Sequence, residues 1–97
     1  MSGKRSNTVT DSIEETRLFH TRYLRAINSP LRRKILRILN EEQSSIEELQ
    51  NKTSLDHATL KWNLDILEHG FCVEKQINQG RIVYKLTQEG KVVDFLD

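Results

Sequence analysis

The chain has only one cysteine, one proline and four glycines, and it lacks a long hydrophobic run among its 97 residues. A single cysteine excludes an intramolecular disulfide. No apolar stretch approaches the roughly 18 residues that a membrane-spanning helix needs, and no signal peptide is visible. We therefore expect a soluble cytoplasmic protein that has no contact with a membrane.

Residues for a metal or catalytic site are also scarce. The only soft metal ligands are His20, His57, His69 and Cys72. His69 and Cys72 span a predicted helix end and strand start, and one such pair is too few for a closed zinc site. Cys72 is better explained as a small buried hydrophobe. Because no catalytic triad, phosphate loop or carboxylate pair has convincing spacing, we expect no metal, no cofactor and no enzyme activity.

The most informative pattern is a helix with one apolar face, predicted over about residues 56–69. Three leucines recur at four- and three-residue steps: Leu60, Leu64 and Leu67. They share one face of a helix. Asp56 is suited to cap its first turn, because a short acidic side chain accepts from free backbone N–H groups. Gly70 fits a left-handed position just past the helix end.

After this glycine the hydrophobic period changes to that of a hairpin. Ile82, Tyr84 and Leu86 alternate strictly, which predicts a strand. Residues 78–80 form a three-residue connection that ends in glycine, a common hairpin loop since glycine tolerates positive φ. We predict a two-stranded wing over about residues 72–86.

Two helices are predicted before this pair of elements. Ser29-Pro30 is a strong helix start, because proline at the first helical position loses nothing by its missing N–H. Ser45 and Glu48 form a capping box for a second, short helix. The short helix, a turn and the helix over 56–69 make a helix-turn-helix, whose second helix normally enters the DNA major groove.

The ordered series predicts an α+β, mostly α fold: a winged helix-turn-helix with a two-stranded wing and extra N- and C-terminal helices. A hydrophobic content of 36% is enough for one modest core. We assign residues 1–10 to a flexible N-terminal arm, since they lack apolar periodicity, and residues 11–97 to the winged-helix domain.

The run from Ile27 to Gly90 resembles the arsenical-resistance-repressor (ArsR-like) winged-helix family, especially its archaeal relatives. Four segments carry the resemblance: SPLRRKILRILN, SIEEL, SLDHATLKWNLDILEHGF and GRIVYKLTQEG. They follow the family's order of a "(D/S)P-R-x-x-I-L-x-x-L" helix, an "E-L" helix, an "H-L-x-x-L-x-x-x-G-L" recognition helix and a "G-R-x-x-x-Y-x-L" wing. The resemblance implies a homodimeric, DNA-binding transcription regulator. Residues 47–51 lack the family's metal-sensing cysteine pair, and Asn63 stands where the family often has histidine.

The net charge of +1 is an average of two opposite clusters. Between residues 16 and 40 all charged residues are basic: Arg17, Arg22, Arg25, Arg32, Arg33, Lys34 and Arg37. An acidic cluster follows: Glu41, Glu42, Glu47 and Glu48. Phosphate contacts draw on local basic patches rather than on total charge. The alternative is that these arginines solvate helix faces and pair with the glutamates.

The candidate DNA contacts lie on the recognition helix and the wing: His57, Thr59, Lys61, Trp62, Lys75, Gln79 and Arg81. His57, Thr59 and Lys61 bring donors, acceptors and a methyl group suited to base edges or phosphate. Arg81 is the best wing candidate, because narrow minor grooves attract arginine. The alternatives are an exposed polar histidine and a solvated hairpin tip. For Trp62 we favour packing on the wing or first helix, and we expect Asp65 to pair with a nearby cation.

By the resemblance, the first and last helices form the dimer interface. The last helix, which Thr87 is suited to cap, carries a large apolar load within ten residues. Two terminal helices with surplus apolar surface bury it most simply against a symmetric copy. The predicted dimerisation residues are Phe19, Tyr23, Val92, Phe95 and Leu96.

The leading hypothesis is a sequence-specific, homodimeric transcription regulator associated with the nucleoid. Its partner is double-stranded DNA, with the recognition helix in the major groove and the wing on the flanking minor groove or backbone. The alternative is a protein-binding winged-helix adaptor; such domains tend to lose wing and recognition-helix charge, whereas Lys61, Lys75 and Arg81 remain here. A third hypothesis is a small-molecule switch, but nothing in the sequence marks an effector pocket.

Overall fold

The computed structural model describes the backbone of residues 2–96 and the side chains of residues 13–96. The described residues form four α-helices, a two-stranded antiparallel sheet and a closing 3-10 helix: α1 Ser2–Ile27, α2 Pro30–Glu41, α3 Ile46–Thr53, α4 His57–His69, β1 Val73–Asn78, β2 Arg81–Leu86 and the 3-10 helix Glu89–Phe95. This mostly helical winged helix-turn-helix confirms the predicted fold class. The predicted arm over residues 1–10 lies outside the residues whose side chains are described, and it stays a prediction.

Three helices begin at the capping residues that the sequence predicts. The Ser29 hydroxyl accepts from a backbone N–H in the first turn of α2. At α3 the Ser45 hydroxyl accepts from Glu48 N at 3.2 Å, while the Glu48 carboxylate accepts from Ser45 N at 3.0 Å. Asp56 accepts from Thr59 N at 3.2 Å at the start of α4. The hydrogen bonds from Ser45 and Thr59 lower the pKa values of Glu48 and Asp56.

The core lies between the helices and the base of the wing. The largest fully buried apolar side chains come from every element after α1: Ile35, Leu36, Leu49, Leu60, Leu64, Leu67, Val73, Tyr84 and Val93. The predicted leucine face of α4 is therefore confirmed. Cys72 is also fully buried, which raises the pKa of its thiol to about 11 and agrees with its interpretation as a small hydrophobe.

The end of α4 corrects the prediction for Gly70. Its φ is −91°, and the left-handed residue is instead Phe71, with φ +66°. A Cβ on Gly70 would lie 2.5 Å from the Cβ of Ala26 and 2.7 Å from the carbonyl oxygen of Arg22. Gly70 is thus required by the close crossing of α1, a long-range contact that local sequence does not reveal. The Phe71 ring stacks on Phe19 at 4.6 Å between centroids.

The wing turn is shorter than predicted. Asn78 pairs with Arg81, so the connection is two residues, not three. Gln79 and Gly80 both have positive φ, +54° and +79°. A two-residue turn with both central φ values positive matches the right-handed twist of the flanking strands.

Backbone hydrogen bonds attach the wing to the helices. Ser44 N donates to Tyr84 O at 3.0 Å, and Tyr84 N donates to Ser44 O at 2.7 Å. This bridge places Ser44, two residues before α3, beside β2 like a third strand. The Thr87 hydroxyl accepts from Gly90 N at 3.1 Å, in agreement with its predicted capping role.

One arginine joins three helices. Arg32, on α2, donates from Nε to Ala26 O at 3.1 Å and from Nη2 to Arg25 O at 2.9 Å, both at the end of α1. Its Nη1 donates to Asn63 Oδ1 on α4 at 3.1 Å. The buried Asn63 amide in turn donates to Thr59 O at 2.8 Å. We call this set the Arg32–Asn63 clamp, and it sets the position of α4 relative to α1 and α2.

Among the described residues, no helix has the length and apolarity that crossing a membrane requires.

We expect Gly70→Ala to lower the free energy of unfolding by about 2 kcal/mol, because overpacking a tight contact typically costs 1–3 kcal/mol. Gly80→Ala is the matched control: a Cβ there meets nothing within 4 Å, so only its positive φ is penalised, by about 1 kcal/mol. Urea denaturation measures both. A larger loss at Gly80 would contradict the close crossing of α1 and α4.

We expect Asn63→Ala to lower the free energy of unfolding by about 1–3 kcal/mol, because it strands a half-buried guanidinium donor. Arg32→Lys should behave similarly, since an ammonium cannot reproduce the planar fork. The double variant should lose less than the sum, by about 1 kcal/mol. Arg17→Lys, on the exposed face of α1, is the control. Additive losses in urea denaturation would mean that Arg32 and Asn63 act independently.

Candidate nucleic-acid interface

The turn between α3 and α4 is the centre of the helix-turn-helix. Ser54 takes a left-handed conformation, φ 61° and ψ 19°, and its N–H donates to Gln50 O at 2.8 Å. Leu55 then packs against the core, and Asp56 caps α4. The turn therefore ends one helix and starts the next within three residues, which fixes the direction of α4.

A groove of about 410 Å³ lies between the start of α4 and the wing. Four of the predicted DNA contacts line it: His57, Lys61, Lys75 and Arg81. Residues that the sequence did not suggest as contacts line it too: Ile46, Glu47, Gly80, Ile82 and Tyr84. Helical projection from α4 alone finds only His57 and Lys61, whereas the other lining residues are brought in by the packing of α3 and the wing around α4.

The remaining predicted contacts lie outside this groove. Thr59 is half-buried, and its carbonyl belongs to the Arg32–Asn63 clamp. Gln79 is exposed at the wing turn. Trp62 is 62% exposed, so the expectation that it packs on the wing or first helix is wrong. Its ring stays in solvent because α1 and the wing cover other faces of α4.

Each cation of the groove has a partner within the protein. Lys61 Nζ lies 2.6 Å from Asp65 Oδ1, as expected for Asp65, and this hydrogen bond raises the pKa of Lys61. Lys75 Nζ lies 3.7 Å from Glu68 Oε1. Arg81 Nη2 donates to Ser45 Oγ at 3.3 Å, which turns the guanidinium toward the start of α3. The groove therefore presents cations that are already oriented and partly neutralised.

The arginines of α2 donate to backbone carbonyls, which the charge pattern does not predict, and phosphate contact by these arginines stays a prediction. Besides Arg32, Arg33 Nη1 donates to Ile27 O at 3.3 Å and Arg37 Nη2 donates to Leu96 O at 3.1 Å. Within residues 13–96, no ion pair joins these arginines to the acidic cluster. Their guanidinium groups bind backbone carbonyls where chain segments end, so they hold the fold together.

The predicted dimerisation residues lie on α1, on the 3-10 helix and, for Leu96, directly after it. The Tyr23 hydroxyl donates to Glu89 O at 3.4 Å, and Tyr23, Val92 and Phe95 line one surface depression. Phe19, which stacks on Phe71, and Leu96 are half-buried. Phe95 is 88% exposed, the largest exposure among the described apolar side chains.

Histidine, cysteine and carboxylate side chains do not converge on a metal-binding arrangement anywhere in the described part of the chain.

Comparison with solved structures finds a likeness to the crystal structure of the transcriptional repressor BigR from Xylella fastidiosa. The two chains share 25% sequence identity, the match covers 90% of this chain and 91% of that chain, and the TM-score is 0.69. No protein-family model and no curated protein matches the chain. The winged helix-turn-helix fold is therefore shared over almost the full length of both chains.

Proposed function

We propose that this protein is a sequence-specific DNA-binding transcription regulator, associated with the nucleoid in the cytoplasm. The observation that carries the proposal is the convergence of His57, Lys61, Lys75 and Arg81 on one groove between α4 and the wing. The likeness to BigR, a transcriptional repressor, supports a regulatory role. The sequence resemblance supports membership of the ArsR-like family and kinship with its archaeal members.

In this proposal α4 enters the major groove by its first turns. His57 and Lys61 line the protein groove between α4 and the wing, so they would face the hydrogen-bond donors and acceptors of the base edges. The wing then lies over the flanking minor groove or backbone. In a homodimer, the two α4 helices reach successive major grooves about 34 Å apart.

To bind DNA, Lys61 must break its ion pair with Asp65 and contact the DNA instead. Both side chains are partly exposed, at 41% and 48%, so their ion pair is worth little and is exchanged at low cost. The carboxylate of Asp65 then remains close to the phosphates and repels them. Asp65 thus limits affinity, and removing its charge is the sharpest test of the assigned face.

We expect Lys61→Ala to weaken DNA binding roughly tenfold, with a log–log salt slope reduced by about one. Asp65→Asn should strengthen binding, because it removes repulsion and releases Lys61. Arg81→Ala should weaken it. The measurement is fluorescence anisotropy across a salt series, on duplexes of about 30 base pairs enriched from a random pool, long enough for two half-sites.

Two results would contradict the assignment of the DNA-binding face. One is unchanged affinity of Lys61→Ala and Arg81→Ala with intact circular dichroism. The other is weaker binding by Asp65→Asn. Enrichment that yields no duplex bound at low salt would reject DNA binding as the function.

One observation favours the adaptor alternative. Trp62 projects from the outer face of α4 with most of its ring in solvent, and aromatic side chains are enriched in protein interfaces. Trp62→Ala distinguishes the two functions, because loss of a protein partner with full DNA affinity would assign Trp62 to an adaptor surface.

We expect Phe95→Asp to convert a dimer into monomers, because a carboxylate buried without a partner in an apolar interface is strongly destabilising. Analytical ultracentrifugation measures this change. Lys52→Asp is the control, since Lys52 is exposed at the end of α3 and does not line the depression that contains Phe95. A dimer that survives Phe95→Asp would place the interface elsewhere.

A further inference from the structure

The inner face of the wing, which packs on the helices at its base, extends beyond the protein core. Alternation along the two strands places one set of side chains on this face: Val73, Lys75, Ile77, Ile82, Tyr84 and Leu86. Val73, Tyr84 and Leu86 are buried at the base of the wing. Ile82 and Ile77 continue the same face but are 53% and 79% exposed. The hairpin therefore carries its apolar face past the core into solvent.

The two isoleucines form one patch at the wing tip. Ile77 and Ile82 are directly opposite in the strand register, one pair away from the two-residue turn. Directly opposite β-branched side chains contact each other across an antiparallel pair. Exposed apolar surface on a small hairpin favours aggregation unless it has a partner. The position of the patch on the wing indicates which kind of molecule contacts it.

The patch continues the proposed DNA-binding face. Ile82 lines the same groove as His57 and Lys61, so the inner face of the wing turns toward the side of α4 that carries the proposed base contacts. In the proposed orientation, with α4 in the major groove, this side of the wing lies over the flanking minor groove. Arg81, at the tip, lines the same groove, and its Nη2 donates to Ser45 Oγ.

We propose that the Ile77–Ile82 pair is a DNA contact: it enters the flanking minor groove and packs against the deoxyribose walls. This inference rests on the proposed DNA-binding function. Minor-groove binders place apolar side chains, isoleucine among them, in this groove, where they also wedge between base steps. The wing tip thus contributes apolar burial in addition to the charge of Arg81.

The proposal has a signature that a cationic wing tip lacks. A lysine or arginine that neutralises a phosphate releases counterions, so its loss changes the salt dependence of binding. Burial of an isoleucine releases no counterion. Removal of the apolar pair therefore lowers affinity at every salt concentration by the same factor.

The test compares one double variant with a control on the opposite face of the same hairpin. Ile77→Thr with Ile82→Thr keeps both β-branched side chains, and with them the strand preference, but removes apolar surface. Val83→Thr is the matched control, since Val83 pairs with Gln76 on the outer face of the wing. Circular dichroism and the fluorescence of the single tryptophan, Trp62, check the fold of each variant.

We expect the double variant to bind the enriched duplexes roughly tenfold more weakly, with an unchanged salt slope. Its hydroxyl-radical footprint should lose protection in the flanking minor groove and keep the rest. Val83→Thr should bind like the wild-type protein. If the double variant is misfolded, Ile77→Thr alone is measured, because Ile77 is the more exposed of the pair and its replacement disturbs the core least.

Three outcomes would overturn the inference while leaving DNA binding intact. These are unchanged affinity with an unchanged footprint, a salt slope reduced by about one, and a change in sedimentation, which would make the patch a protein contact. A wild-type protein that binds none of the duplexes would instead overturn the proposed function, and the inference with it.

Discussion

The guanidinium of Arg32 is the constraint on which the rest of the structure depends. Helix ends leave carbonyl groups without partners, and Arg32 supplies donors to two of them at the end of α1. The third contact, to Asn63, carries this constraint across the core to α4. Because burial also lowers the pKa of Arg32, the protein accepts a desolvation cost here. The three hydrogen bonds that Arg32 donates offset this cost and fix the position of α4.

A fixed α4 matters because the wing is positioned against the same helices. The Ser44–Tyr84 bridge and the hydrogen bond from Arg81 to Ser45 attach β2 to the start of α3. The turn at Ser54 then relates α3 to α4. The groove is therefore bounded by elements that share one hydrogen-bonded frame. Its two lysines are oriented by neighbouring carboxylates and Arg81 by the Ser45 hydroxyl, so a net charge of +1 is compatible with an ordered local positive potential.

The parts of the fold that the sequence predicts are those that depend on residues close together in the chain. The N-terminal helix caps, the leucine face of α4 and the alternation of β2 all involve partners within a few residues, and these predictions are confirmed. Gly70 was misassigned because its requirement comes from α1 crossing at Ala26. The same limit applies to the site: helical projection identified His57 and Lys61, but it could not show that Arg32 would be used inside the fold or that Trp62 would stay in solvent.

The alternation of apolar residues has different consequences at the base and at the tip of the wing. At its base, alternating apolar residues such as Val73 are buried and anchor a hairpin that would be marginal by itself. At its tip the identical alternation leaves Ile77 and Ile82 79% and 53% exposed, beyond the buried core. A tip with so few contacts can adjust to a surface at little cost to the core. In the proposed complex, α4 supplies charged contacts and the wing tip adds an apolar contact, and a regulator built this way would keep part of its affinity when salt screens the charged contacts.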